Sequence, residues 1–87
     1  MSDNNERIEK MVQRLRQERD ELRVKLHLAK LEASDEWREL EEKWQTFESK
    51  AKELGEVTAE SSKDIAAAAK LLGDEISDGF KRIVRHL

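Results

Sequence analysis

Two histidines, His27 and His86, and the carboxylate cluster Glu39, Glu41 and Glu42 are the candidates in this chain for holding a metal ion. Helical bundles that bind two irons use Glu-x-x-His, which sets acid and imidazole on one face a turn apart. Here Val24 stands three residues before His27, and Ile83 three before His86. The spacing fails, so each histidine reads as a surface or flank side chain. Adjacent carboxylates on a helix point in different directions, and Glu39, Glu41 and Glu42 therefore read as a solvated face rather than a divalent-ion site. No metal or cofactor is expected.

Catalytic motifs are equally absent. The chain has no Gly-rich phosphate loop, no nucleophile beside a local base and no cysteine, which removes the common signatures of small enzymes. An enzyme is not expected. Trp37 and Trp44 lie one heptad apart, on one face after two turns. They suit a core, with an exposed aromatic platform as the alternative. Phe80, Ile83, Val84 and Leu87, flanked by Lys81, Arg82, Arg85 and His86, form a short basic amphipathic turn of the kind that rests on an anionic membrane. The competing reading gives these apolar groups to the closing of a core.

What must position all of these is a periodic seam. Ile8, Val12, Leu15, Leu22, Leu26, Ala29, Ala33, Trp37, Leu40, Trp44, Phe47, Ala51 and Leu54 advance by threes and fours once Arg19 is counted as a step. That period predicts one amphipathic helix over 5–54 with a coiled-coil stripe. Asp3 or Asn4 is the expected cap at its start. Arg19 occupies an apolar slot; it either sets register or covers the seam with its stem while the guanidinium reaches solvent or a carboxylate. Two consecutive steps of four, Ala29 to Ala33 to Trp37, read as a stutter that relaxes the supercoil. Val24, Leu28 and Leu31 make a second apolar face about 200° around from the first, which asks for a further neighbouring helix. Glu6 with Lys10, Glu21 with Lys25, Glu39 with Lys43 and Glu48 with Lys52 have the favourable acid-then-base spacing of helix ion pairs.

Gly55 interrupts the pattern and is read as a left-handed helix end, within a turn over 55–61. Ser61 followed by Asp64 has capping-box spacing, so a second helix is expected over 62–86. Its seam is Ile65, Ala69, Leu72, Ile76, Phe80, Ile83 and Leu87. Folding back at Gly55 sets Ala51 against Ala68 and Ala69, Phe47 against Leu72, Trp44 against Ile76, Leu40 near Gly79 and Phe80, and Trp37 near Ile83. The predicted fold is therefore all-α, a long helix and a shorter one in an antiparallel hairpin that joins a coiled-coil oligomer. One continuous helix is the alternative.

Composition agrees with that class. Eighty-seven residues make at most one small domain, whose own core is slight. Charged residues are 43% of the chain, proline is absent, and 17 basic and 20 acidic residues alternate to a net charge of −3. Such a mixture gives no broad positive field, so nucleic acid is not an expected partner. Without cysteine, a hydrophobic leader or a membrane-length run, the chain reads as cytoplasmic.

The run from Glu21 to Lys30, the segment Asp35-Glu36-Trp37 with Leu40-Glu41-Glu42-Lys43-Trp44, and the ending Leu72-Gly73-Asp74-Glu75-Ile76 with Gly79-Phe80-Lys81-Arg82-Ile83 together resemble small bacterial coiled-coil proteins without an assigned activity. The resemblance covers about 21–87 and implies a cytoplasmic bacterial protein, with no catalytic residue carried over. A helix over 62–86 is too short to reach the start of the first, which leaves 1–32, with Ile8, Val12, Leu15 and Leu22, as a protruding oligomerisation segment. The expected partner is a second copy, and the expected function that of a structural or protein-interaction module. The alternative is a peripheral membrane protein working through its C-terminal helix, and an unknown protein partner is also open.

Overall fold

Lys30 has a φ of 60°, the left-handed conformation that ends a helix. Its N–H donates to the carbonyl of His27 at 3.1 Å, and that of Leu31 to the carbonyl of Leu26 at 2.8 Å. Those two bonds satisfy carbonyls that the helix end would leave open, and the chain turns there. Three residues on, Ser34 restarts it. The Ser34 hydroxyl accepts from the Trp37 amide at 3.4 Å, and Asp35 and Glu36 place negative charge in the first turn.

The computed structural model describes the backbone of 3–31, 33–56 and 59–87, and the side chains of 6–31, 33–56 and 62–87. The described residues form α1 (Asp3–Leu28), α2 (Asp35–Leu54) and α3 (Ala59–His86), with no strand among them. The all-helical class stands, but the single helix expected over 5–54 is two helices. The supposed stutter is the turn itself: Ala29 and Ala33 are exposed, because the jump in phase marks a change of direction. The caps proposed at Asp3 or Asn4 lie outside the described side chains, as do Val57 and Thr58 of the second turn.

Contacts fix the directions of the helices. Along α2 and α3, Trp37 meets Phe80 with ring centroids 5.9 Å apart, Leu40 lies against Gly79, and Phe47 against Gly73. Rising numbers on one helix meet falling numbers on the other. The same holds for α1 and α2, where Arg16 reaches Glu48 and Arg19 reaches Glu41, each at 2.8 Å. Hence α1 and α3 run parallel, and Met11 of α1 lies against Gly73 of α3. The bundle is elongated, 44 × 19 × 17 Å.

One core runs its length. Ile8, Leu15, Leu22 and Leu26 of α1, Trp37, Leu40, Trp44, Phe47 and Leu54 of α2, and Ala66, Ala69, Ile76, Phe80 and Ile83 of α3 are buried. Met11, Val12, Ala51, Ile65 and Leu72 pack on it partly covered. The described residues of 1–32, α1 above all, therefore do not protrude. The α1 seam, expected to need a second copy, is covered by α2 and α3 of the same chain, because the turn at Lys30 swings it alongside them.

Three local expectations are also corrected. Gly55 is right-handed, with φ −78° and ψ −9°, and its N–H donates to the Lys52 carbonyl at 3.2 Å, a tightened last turn that needs no left-handed residue. α3 begins at Ala59, so Ser61 stands within its first turn rather than at a cap. Two members of the expected same-helix ion pairs bond across helices instead: Glu48 with Arg16 at 2.8 Å, and Lys43 with Glu75 at 3.5 Å. A facing helix offers these side chains a second opposite charge, which competes with the one four residues along their own helix.

Candidate interaction surface

Among the residues that could do chemistry, Glu41 turns inward and Glu39 and Glu42 outward. Glu41 is held by Arg19, whose guanidinium also lies 5.8 Å from the centre of the Trp44 ring and 3.6 Å from the Asp20 carboxylate. The acids thus part company, as the helix period requires. Among the described residues no group of three or more His, Cys, Asp or Glu side chains is placed to hold a metal. His27 and His86 are exposed, in the last turns of α1 and α3.

The predicted seam residues gather into one body. Ile8, Leu15, Leu22, Leu26, Trp37, Leu40, Trp44, Phe47, Ile76, Phe80 and Ile83 are buried, Val12 and Leu72 are half-buried beside them, and Arg19 is half-buried among them. Both tryptophans are inside, so neither is an aromatic platform for a ligand. The basic C-terminal turn is divided: Phe80 and Ile83 close the core, while Val84 and Leu87 stay outside.

Outside the core, the large apolar side chains are unevenly placed. Val24, Leu28, Leu31, Val84 and Leu87 are exposed, and Leu71 is the sixth among the described residues. Since α1 and α3 run parallel, their last turns lie at the same end of the bundle as the α1–α2 connection. Five of the six therefore share one end. Val24, Leu28 and Leu31 follow one face of α1 and continue around its left-handed end, so the further helix expected on that face is not supplied by this chain.

Two grooves flank that face. On the α2 side Asp20, Arg23, Val24, His27 and Leu28 line an open depression that reaches Trp37. Towards α3 a second is lined by Leu22, Lys25, Lys81, Val84 and Arg85 with Glu18 and Glu21. The end thus offers apolar contact among side chains of both charges, Arg23, Lys25, Lys81 and Arg85 with Glu18, Asp20 and Glu21, a setting for docking rather than for bond making. Sequence reasoning had its two halves, the second face of α1 and the basic turn of α3. Joining them required the turn at Lys30.

Comparison with protein-family models, with curated proteins and with solved structures gives no match to this chain. Among the described residues, no helix is long and apolar enough to cross a membrane.

Proposed function

We propose that this protein is a non-catalytic docking module: a three-helix bundle that presents the end formed by α1, α3 and the α1–α2 turn to a partner, in the bacterial cytoplasm that the resemblance implies. The observation that carries this reading is the gathering of five exposed apolar side chains at that one end. A large exposed aliphatic group gains roughly 1.5 to 3 kcal/mol on full burial, and contiguous apolar patches rimmed by charge mark interaction sites. Self-association through the N-terminal seam loses its ground, because that seam is already covered within the chain.

Site-directed photo-cross-linking in cells tests the reading. A benzophenone side chain introduced at Leu28 is expected to form adducts, while the same group at exposed Gln45, midway along α2, is not. Equal labelling at both positions, or none at Leu28, would remove this end as the docking surface.

A further inference from the structure

We propose that two copies of this chain exchange α1 at high concentration, through a turn that straightens into continuous helix, an inference independent of the docking reading above. Phase is the first argument. Leu26, the last buried residue of α1, and Trp37, the first of α2, stand eleven residues apart. On a straight helix that is three turns to within about 20°, so the buried faces of α1 and α2 would form one unbroken face. A chain that only ever turned there would need no such phase. The turn itself is the second argument. Six residues separate α1 from α2, and Lys30 among them holds the left-handed conformation that a Cβ disfavours. Short connections under strain invite exchange of the element they attach. Straightening relieves Lys30 and gives the connection helical hydrogen bonds in place of the Ser34 cap.

Register is the third. Arg16 with Glu48 and Arg19 with Glu41 are antiparallel pairs centred near residue 31. Two straightened chains paired in that register set Ala29 of one against Ala33 of the other. Both alanines are exposed in the monomer, and small side chains let two helices cross closely. The contacts that α1 makes with α2 and α3 are then remade with the second copy, the Arg19–Glu41 pair among them. The exchange therefore needs no uncovered seam, and it admits only this chain as partner. It also removes the α1–α2 turn from the docking end, so monomer and dimer present different surfaces. In dilute solution α1 closes on its own chain, because a short tether gives a local concentration on the order of millimolar. Exchange requires Ile8, Leu15, Leu22 and Leu26 to leave the core, so the dimer forms on refolding and persists after dilution.

The test is refolding of the full chain from urea at about 10 µM and at about 1 mM, followed by dilution and size-exclusion chromatography with light scattering. The dimer fraction is expected to rise at least about tenfold in the concentrated sample. Lys30→Gly, which eases the turn, should lower that fraction several-fold. The double variant Arg16→Cys with Glu48→Cys, in a chain that has no other cysteine, then shows which chain each α1 packs on. Its monomer and dimer fractions are treated after dilution with a short bismaleimide. In the monomer the link joins two positions of one chain. In the exchanged dimer those positions lie about 48 Å apart on one straight helix, beyond a spacer of roughly 10 Å, so only links between chains form. A denaturing gel should therefore show single chains from the monomer fraction and joined pairs from the dimer fraction. Absence of a dimer at the higher concentration overturns the proposal. So does a dimer that separates into internally linked single chains, or a dimer fraction that Lys30→Gly increases.

Discussion

Nη2 of Arg19 lies 2.8 Å from Oε2 of Glu41, joining α1 to α2 inside their contact. The two side chains keep only 19% and 23% of their surface exposed. Arg19 Nε and Glu41 Oε1 are buried without a hydrogen-bond partner among the described residues. Such a pair fixes how two helices meet more than it stabilises them, because desolvation offsets most of the attraction.

Replacing one partner is therefore expected to cost more than replacing both. Arg19→Met leaves Glu41 part-buried and unpaired, and should lower stability by about 2 kcal/mol. The double variant, with Glu41→Leu added, should return to within about 1 kcal/mol of the parent. Urea denaturation of the single and double variants checks it. A double variant weaker than Arg19→Met alone would show that the pair is strongly favourable.

The two turns use their residues against type, a lysine left-handed and a glycine right-handed. Lys30→Gly relieves the Cβ crowding of the left-handed conformation and should stabilise the bundle by about 1 kcal/mol. In a domain of this size that raises the melting temperature by about 4 to 8 °C. Gly55→Ala meets only the Lys52 carbonyl oxygen, at 3.6 Å, and should be neutral or stabilising by up to about 1 kcal/mol through the unfolded chain. Calorimetric melting of both variants tests the assignment, and a loss of stability in Lys30→Gly would contradict it.

Within α3, two glycines differ in what stands over them. A Cβ at Gly79 would collide with the Leu40 side chain, which is only 3% exposed and has little room to move. At Gly73 the collision is with the sulfur end of Met11, which is flexible and half-buried, while Phe47 Cε1 would lie at 3.1 Å. Alanine gains about 1 kcal/mol of helix propensity at either site. Gly73→Ala should come out near neutral, whereas Gly79→Ala should lose roughly 1 to 2 kcal/mol after that gain. Equal melting temperatures for the two would argue against the close approach of Leu40.

How much of this was legible depended on the kind of signal. Burial follows polarity and period, and the apolar steps at Leu15, Trp44, Phe47 and Ile76 are read without knowing where helices end. The turn was harder, since a left-handed helix end is ordinarily marked by glycine or asparagine and Lys30 carries no such mark. Ser34-Asp35-Glu36 did carry the mark of a helix start, and the slip from Ala29 to Trp37 coincided with it. Both also fit a continuous helix that carries the seam unbroken through the slip. The docking end was visible only as fragments, because Val24, Leu28 and Leu31 are more than fifty residues from Val84 and Leu87 and share one end of the bundle with them only through that turn.

The same turn changes what removing α1 should do. If α1 were a projecting oligomerisation arm, a chain beginning at Glu32 would keep its fold and lose only its partner. In the bundle, α1 contributes Ile8, Leu15, Leu22 and Leu26 to the core, and it covers α2 and α3 in return. At about 1.5 to 3 kcal/mol for each large side chain, those four account for roughly 6 to 12 kcal/mol. That matches the entire stability of a typical domain, about 5 to 15 kcal/mol. The whole chain should sediment as a monomer at micromolar concentration, with blue-shifted emission from Trp37 and Trp44 that iodide quenches poorly. The version starting at Glu32 should lose cooperative unfolding and emit further to the red. A folded, cooperatively melting product from that truncation, or a stable dimer of the whole chain that the truncation abolishes, would return α1 to the role of an arm.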